Sequence, residues 1–184
     1  MSLEDTLAHI EVDDLEIDFN LLLTTFYADL FSQIALADSK AQLIIGVNAI
    51  LSAVLVPDIA AIGSLLQDGN VLGTLSALLI MITAVALAVS IFYSIRATIP
   101  NVRRTQQPDN LFFFGDIAQM REEEYLQQFF QLSPQQIKIS YITQIHARAK
   151  IVKRKFALVR WGLIVLTVAF CFWVLAHVFE SFIH

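Results

Sequence analysis

The longest uncharged segment of the chain runs for 27 residues, from Gly69 to Ile95. As an α-helix it would extend about 40 Å, which exceeds the roughly 30 Å of a bilayer's hydrocarbon core. Two other uncharged segments, Trp161–Phe179 and Ala41–Pro57, contain 19 and 17 residues. A mean hydropathy of +0.64 and a charged fraction of 16 % are typical of the membrane class. The sequence therefore predicts an all-α membrane protein with three transmembrane helices.

The first of these spans is the shortest, because Asp58 directly follows Pro57. Its 17 residues lie at the lower limit for crossing a bilayer. A helix that continued through Pro57 would lengthen the apolar stretch to Leu66, but it would include the Asp58 carboxylate. We expect a full span that ends near Pro57, with a half-inserted or re-entrant segment as the alternative.

Charge is distributed unevenly along the chain. Residues 1–40 contain nine acids and one base, whereas residues 96–160 contain eleven bases and five acids. The positive-inside rule places the basic segment in the cytoplasm. With three spans, the N-terminus is then cytoplasmic and the C-terminus is periplasmic or external. The acidic N-terminal segment does not contradict this topology, since Asp and Glu contribute little to orientation.

These boundaries divide the chain into eight segments. In chain order they are an N-terminal cytoplasmic amphipathic stalk helix (1–40), transmembrane helix 1 (41–57), an external loop (58–70), transmembrane helix 2 (71–95), a cytoplasmic linker with an aromatic and acidic helical insert (96–133), a second cytoplasmic stalk helix (134–160), transmembrane helix 3 (161–179) and an external tail (180–184).

Two spans are predicted to continue as helices into the cytoplasm. Apolar residues recur at helical spacing from Leu15, and no Gly or Pro interrupts the pattern before the first span. The second stalk begins at Ser133–Gln136, which combines a capping residue, proline at the first helical position and Gln three residues after the cap. No Gly or Pro follows until Gly162, so this helix can continue to Phe179, a length of about 69 Å.

Two helix faces are predicted to mediate contacts between helices. In the second stalk, apolar residues repeat with the 3-4 spacing of a coiled coil. They are Ile142, Ile145, Ala149, Val152, Phe156 and Val159. In the second span, small residues four apart allow helices to approach closely in lipid. These pairs are Gly73/Ala77, Ala84/Ala88 and Ala86/Ser90. Three spans per chain with such faces favour a homo-oligomer.

Polar residues mark the level at which the first stalk meets the bilayer. Asp38 and Lys40 are two apart and do not face each other on a helix, so we expect each to pair with another segment. Lys40 can instead extend to the lipid interface. Asn48 lies within the apolar segment, where an unpaired carboxamide is costly. We expect it to bond a neighbouring helix, with a pore-lining position and a bond within its own helix as the alternatives.

The linker contains an aromatic and acidic phrase, residues 110–125. A short helix is predicted over Met120–Gln131, with Glu123 and Glu124 near its start, and Gly115 is expected at a turn or close contact. The aromatic side chains of this region are expected to form a small core rather than a site that stacks nucleic-acid bases. They are Phe112, Phe113, Phe114, Tyr125, Phe129 and Phe130.

The basic residues of the cytoplasmic segments have three alternative partners. Residues from Lys153 to Arg160 lie near the membrane and suit anionic lipid headgroups. Arg121 and Arg148 lie farther from it, and a planar guanidinium can bind a phosphate through two hydrogen bonds. Pairing with the acidic first stalk is the third alternative.

Patterns typical of enzymes are missing from the sequence. It contains no phosphate-binding glycine loop, no metal-ligand cluster and no Cys/His or Ser/His pairing of suitable spacing. The single cysteine, Cys171, lies within the third span. We therefore predict that the protein is not an enzyme, holds no metal or cofactor and binds no nucleic-acid polymer.

Several phrases occur in a characteristic order over roughly residues 30–175. They are Ala37–Ala41 leading into Leu43, Gly46 and Asn48, then Asn110–Gly115 followed by Glu123–Leu126, then Arg154–Phe156 followed by Leu158–Trp161. Together with the matching spans, this ordered set resembles the transmembrane effector family of the Pycsar antiphage system. The resemblance implies that a pyrimidine nucleotide cyclase is a functional partner and makes cyclic UMP or cyclic CMP during phage infection. The effector would sense this nucleotide and impair the bacterial inner membrane, killing the cell.

A cyclic mononucleotide carries one phosphate charge and a flat base, so its site needs one or two arginines and an aromatic or apolar wall. We expect the ligand-binding residues to be Arg103, Arg104, Asn110, Phe114, Arg121, Tyr125 and Arg148. Structural or coupling functions are expected for Asp38, Lys40, Asn48, Gly115, Glu123 and Glu124. Two other function classes stay open: a ligand-independent, holin-like pore protein, and a membrane adaptor that recruits a soluble protein through the acidic first stalk.

Overall fold

In the computed structural model, which describes residues 18–67, 70–99, 111 and 117–182, the regular elements are all α-helices. They are α1 (Phe19–Gln67), α2 (Val71–Thr98), α3 (Glu122–Phe130) and α4 (Pro134–Ser181). Three of them, α1, α2 and α4, are long and apolar enough to cross a membrane. The all-α class and the three candidate spans are confirmed.

The first long helix, α1, does not end at Pro57 but continues through it to Gln67. The expected helix end was therefore wrong, and residues 58–67, assigned to an external loop, are helical. Proline removes one backbone hydrogen bond, a cost that membrane helices bear when neighbouring helices pack on them. The Asp58 carboxylate, which favoured a helix end, accepts a hydrogen bond of 2.9 Å from Trp173 Nε1 of α4.

The ends of α2 follow from local chemistry. The Asn70 side chain accepts a hydrogen bond from the Leu72 backbone nitrogen at 3.1 Å and caps the helix start. At the other end, Ile99 has an extended backbone (φ −61°, ψ 125°). This residue precedes Pro100, and a residue before proline avoids the helical region because its backbone would collide with the ring. The expected stop of α2 at Pro100 is confirmed.

The last helix, α4, is continuous over 48 residues, which corresponds to about 72 Å. Ser133 and Gln136 form the predicted capping box, with both reciprocal hydrogen bonds present. Gly162 does not interrupt the helix. The second stalk and the third span are therefore one rigid element, as predicted.

The three long helices pack against one another, with α2 antiparallel to both α1 and α4. Contact between α2 and α4 is the most extensive. Apart from Ala77, the buried residues of α2 are spaced by three and four residues in alternation, the pattern of coiled-coil packing. They are Gly73, Ser76, Ala77, Ile80, Thr83, Leu87, Ser90, Ser94 and Ala97. A helix contact through the small residues of α2 was predicted. Ala88, one of these residues, is exposed, because the buried face of α2 follows heptad spacing and not the small residues alone.

The face of α4 that meets α1 in the stalk differs from the predicted seam. Ile142 is 48 % exposed and Ala149 is also exposed, whereas Gln144 and Lys155 are buried. Apolar residues occur on more than one face of this part of α4, so periodicity alone did not identify the face that α1 covers. Ile142 and Ala149 of the predicted seam are therefore not covered by α1 within one chain, whereas Val159 of the same seam is buried.

The short helix predicted near Met120–Gln131 is present as α3. None of its residues is buried, and Phe130 is 81 % exposed. Tyr125 and Phe129 contact each other, with ring centroids 5.8 Å apart. Phe112, Phe113 and Phe114 of the expected aromatic core lie outside the described residues, so the core stays a prediction.

Candidate functional site

Seven residues were predicted to bind a ligand, and the structure describes three of them. Arg103, Arg104, Asn110 and Phe114 lie outside the described residues, as does the coupling residue Gly115. Arg121 is the exposed residue that precedes α3, and Tyr125 is a half-buried residue of that helix. Arg148 lies on α4 and contacts α1.

Arg148 forms a cluster with aromatic side chains of both stalks. Its guanidinium lies over the Tyr27 ring, 4.2 Å from the centroid, and donates a hydrogen bond to Tyr27 Oη. Phe31 lies 5.8 Å away on the next turn of α1. The Tyr141 ring meets the Tyr27 ring edge-on, with centroids 5.9 Å apart. We call Tyr27, Phe31, Tyr141 and Arg148 the Arg148 cluster; stacking of the guanidinium on tyrosine contributes about 0.5–2 kcal/mol.

Gln144 lies one helical turn before Arg148 and is only 9 % exposed. Its Nε2 atom has no hydrogen-bond partner among the residues that the structure describes. A buried, unpaired amide costs about 1–3 kcal/mol. The α1–α4 contact therefore contains an unsatisfied donor beside a guanidinium, an arrangement that a polar ligand would relieve.

Closer to the apolar segments, the predicted partners of Asp38 and Lys40 are on α4. Asp38 forms an ion pair with Lys155, whose side chain is 10 % exposed. The Lys40 ammonium lies 5.6 Å from the centre of the Phe156 ring. Pairing of Asp38 with another segment is confirmed, whereas Lys40 is exposed and its extension to the lipid interface stays an alternative. Lys155, which was also a candidate for lipid headgroups, instead binds the acidic first stalk.

Asn48 joins all three long helices within the apolar region. It is fully buried, and its Nδ2 atom donates to Ser90 Oγ of α2 at 3.0 Å and to the Ile44 carbonyl of its own helix at 2.8 Å. Ser90 Oγ in turn donates to the Gly162 carbonyl of α4 at 2.9 Å. The predicted bond between helices is confirmed, and the bond within α1 accompanies it.

Hydroxyl groups of α2 bond backbone carbonyls of α4 at three successive levels. Ser76 donates to the Ala176 carbonyl at 3.2 Å, Thr83 to the Ala169 carbonyl at 3.5 Å and Ser90 to the Gly162 carbonyl at 2.9 Å. Both sets of residues are seven apart, so the bonds repeat with the heptad register of the two helices. We call Ser76, Thr83 and Ser90 the hydroxyl ladder.

Gly162 allows α2 and α4 to approach closely beside the ladder. A β-carbon at this position would lie 2.9 Å from Ser94 Oγ and 3.5 Å from the Ser90 carbonyl oxygen. The backbones are thus near enough for a short serine side chain to reach a carbonyl of the other helix.

The family model of the Pycsar effector protein domain matches residues 22–180. The chain belongs to the Pycsar effector family. The match begins before Tyr27 and ends at Glu180, so every contact between α1, α2 and α4 described here lies within it. No significant match was found among curated proteins or among solved structures.

Membership of the family gives this effector a function in Pycsar antiphage defence and a functional link to a cyclase through the product of that enzyme. Its three apolar helices make it a membrane protein whose surroundings include the lipid bilayer.

At the end of the Pycsar effector opposite the stalks, polar groups again tie α1 to α4. Besides its bond from Trp173, Asp58 lies 3.7 Å from His177 Nε2. The Trp173 and His177 rings are in contact, with centroids 4.6 Å apart. Glu180 Oε1, 2.9 Å from Ser76 Oγ, is a second acceptor for the single Ser76 hydroxyl proton. α1 and α4 are therefore held together by polar contacts at both ends of their apolar segments.

The predicted coupling residues Glu123 and Glu124 lie in the first turn of α3 and are exposed. A negative charge there favours the helix through its dipole. Their part in coupling stays a prediction.

Sequence reasoning missed Tyr27, Gln144 and the ladder members Ser76 and Thr83. Ser76 and Thr83 are spaced at seven-residue intervals from Ser90, and this spacing could have indicated that the three hydroxyls share one face of α2. Nothing local in the sequence indicates that Tyr27 faces Arg148. The two residues are 121 apart in sequence, and their pairing depends on the register between α1 and α4.

Proposed function

We propose that this Pycsar effector senses a cyclic pyrimidine nucleotide, cyclic UMP or cyclic CMP, and then impairs the bacterial inner membrane, causing abortive infection. The observation that carries the proposal is that α1 and α4, of 49 and 48 residues, are far longer than a span requires and meet at the Arg148 cluster beyond their apolar segments. A signal received there can reach the membrane along two continuous helices.

In this proposal, the basic stalk end lies in the cytoplasm and the end that carries Asp58 and His177 lies outside, as the positive-inside rule favours. The nucleotide made by the cyclase would then have direct access to Arg148.

The Arg148 cluster supplies the chemistry that such a ligand needs. The guanidinium can bind the cyclic phosphate, and the rings of Tyr27 and Tyr141 can stack on the base. The phosphate would compete with Tyr27 Oη for the guanidinium, and the unpaired Gln144 Nε2 could donate to a base carbonyl. Arg103, Arg104, Asn110, Phe114, Arg121 and Tyr125 stay proposed contributors to this site.

Binding at the cluster would change the packing of α1 on α4. Two contacts lie between the cluster and the middle of the membrane: the ion pair of Asp38 with Lys155, and the bonds that join Asn48, Ser90 and Gly162. Because the first contact joins α1 to α4 directly and the second joins them through α2, a rotation or tilt at the stalk is carried into the apolar segment.

Exposed apolar side chains on the stalks support a homo-oligomer. Phe26 and Phe31 are 53 % and 61 % exposed, and Ile139 and Ile142 are 63 % and 48 % exposed. These residues precede the apolar segments, so lipid does not cover them in a membrane of ordinary thickness. A second copy of the chain, packed along the stalks, would cover them.

Calorimetric titration of the purified protein with cyclic UMP and cyclic CMP tests the proposal. We expect binding of one of the two, and at least tenfold weaker binding by Arg148→Ala. Lys153→Ala, which changes an exposed base on the same helix, is the matched control and should bind normally. A folded protein that produces no heat with either nucleotide would overturn the sensing function. Toxicity in cells that lack the cyclase would favour a ligand-independent pore.

A further inference from the structure

We infer that the hydroxyl ladder and Asn48 line a path for water and small ions through the membrane in the active state. This inference rests on the proposed impairment of the membrane and names the surface through which it occurs. The ladder is buried in the structure, where α4 covers it.

The distribution of polar atoms on α2 is the first observation. Ser76, Thr83 and Ser90 are 0–2 % exposed. Two residues after each of them, at nearly the same depth, the exposed residues are Leu78, Val85 and Phe92. Between Ser76 and Ser94, the serine and threonine hydroxyls thus lie on the buried side of the helix, and the lipid-facing side is apolar.

Close packing does not require these hydroxyls. On the same seam of α2, Gly73, Ala77 and Ala97 meet the neighbouring helices without any side-chain polar atom. Alanine would preserve the approach at Ser76 and Ser90, and hydrogen bonds between membrane helices contribute little on average. The polar atoms are therefore present in excess of what the resting packing needs.

The Asn48 carboxamide is the second and independent observation. The residue is 0 % exposed, and its Oδ1 atom has no partner among the described parts of the chain. An unpaired carbonyl in an apolar surrounding is unfavourable. Water is the simplest molecule that would satisfy it, and Asn48 bonds Ser90, so its carboxamide adjoins the ladder.

A small apolar cavity lies beside the middle of the ladder. It has a volume of about 10 Å³, lies between the three helices next to Thr83, and exposes no polar atom that could hold water in the resting packing. Its other lining residues are apolar: Leu51, Leu55, Leu87, Ala169, Phe170 and Trp173. A small separation of α4 from α2 would connect this space to the hydroxyls above and below it.

Opening is least costly at Thr83, because its Oγ1 also bonds the Leu79 carbonyl of its own helix at 2.9 Å. Ser76 would lose both of its acceptors, the Ala176 carbonyl and Glu180, since both belong to α4, and water would replace them. The α4 carbonyls that lose a hydroxyl are backbone groups of a continuous helix, and water can replace the hydroxyl. No ladder position is charged, so the path would pass small ions of either sign, with water, rather than select one.

Cysteine accessibility tests the inference. In a Cys171→Ser background, needed because Cys171 is exposed, we would place single cysteines at Ser76, Thr83 and Ser90. Matched controls carry them at the lipid-facing positions Leu78 and Val85. The proteins are reconstituted into dye-loaded liposomes and treated with a charged, membrane-impermeant methanethiosulfonate.

Addition of cyclic UMP or cyclic CMP is expected to release the dye and to raise the labelling rate at ladder positions at least tenfold, with no change at the controls. Dye release with ladder cysteines still labelled at the control rate would overturn the inference and leave the proposed function intact. Absence of release with both nucleotides would overturn the two together.

Thr83→Val keeps the shape of the side chain and removes only its hydroxyl. It therefore tests the contribution of the hydroxyl to the path separately from the contribution of the side chain to helix packing. Normal nucleotide binding with at least threefold slower dye release is expected. Unchanged release by this variant and by Ser90→Ala would show that the hydroxyls serve packing alone.

Discussion

Two contacts of α4 differ in their chemistry. In the stalk, α4 meets α1 through charged and aromatic side chains such as Lys155 with Asp38 and Arg148 with Tyr27. Within the apolar segment, it meets α2 through hydroxyls that bond backbone carbonyls. In the contact with α1, each charged side chain of α4 therefore depends on one partner. In the contact with α2, the groups that form hydrogen bonds have alternative partners.

The difference predicts where the bundle is rigid and where it can yield. Loss of one member of a buried ion pair leaves a charge without compensation, which is costly. Loss of a ladder hydroxyl leaves a carbonyl that belongs to a continuous helix. We therefore expect single substitutions to cost most in the stalk and least in the ladder.

Asp38→Asn is expected to have the largest effect. It leaves the Lys155 ammonium, 10 % exposed, without its carboxylate and should lower the free energy of unfolding by about 3 kcal/mol. Reversible unfolding from detergent micelles into SDS, followed by circular dichroism, measures it. Asp29→Asn changes an exposed acid of the same helix and should have little effect. Equal losses in the two variants would contradict the importance of the pair, and adding Lys155→Met to Asp38→Asn should restore stability.

Gly73→Ala tests whether close backbone packing between α1 and α2 contributes to stability in the apolar segment, in addition to the hydroxyl hydrogen bonds. A β-carbon there would lie 2.7 Å from the Leu65 carbonyl oxygen of α1, an atom that cannot rotate away. We expect a loss of about 2 kcal/mol in the same assay. Gly63→Ala, whose β-carbon would meet nothing within 4 Å, is the control and should be neutral or slightly stabilising. Matching losses for the two glycines would rule out the steric explanation.

Arg148→Lys is expected to cost about 1 kcal/mol, because an ammonium keeps the charge but cannot stack on Tyr27 as a planar guanidinium does. Arg154→Lys, at an exposed position of the same helix, is the control. A double-mutant cycle with Tyr27→Leu isolates the pair. A coupling energy near zero would mean that the stacked geometry contributes nothing.

Ser90→Ala should have the smallest effect, about 0.6 kcal/mol. Asn48 keeps its second bond to the Ile44 carbonyl, so only one of its two amide hydrogens loses its partner. Exposed Ser64→Ala serves as control. A loss as large as that of Asp38→Asn would abolish the distinction between the two contacts.

The long elements could be predicted because their signals are local. Uncharged segments identified the spans, Ser133 and Gln136 identified the start of α4, and Pro100 identified the end of α2. The passage of α1 through Pro57 could not be predicted in this way, since the Asp58 carboxylate depends on Trp173, 115 residues later.

The candidate site was predicted unevenly for the same reason. Asn48 was identified because a carboxamide in an apolar segment needs a partner wherever that partner is. Ile142 of the predicted stalk seam is exposed within one chain because α1 covers a neighbouring face of α4, with Gln144 and Lys155. The choice of face depends on the register between two parallel helices, which neither helix encodes by itself.

The seven-residue register of the hydroxyl ladder restricts how α4 can move. Small residues of α4, Ala176, Ala169 and Gly162, lie opposite the three hydroxyls. Displacement of α4 along its axis by one turn would bring bulky neighbours such as Trp173 and Leu166 to these positions at every level at once. Sliding is therefore sterically blocked in steps shorter than a heptad, about 10 Å. Tilt, which separates the two helices without changing which residues face each other, meets no such barrier.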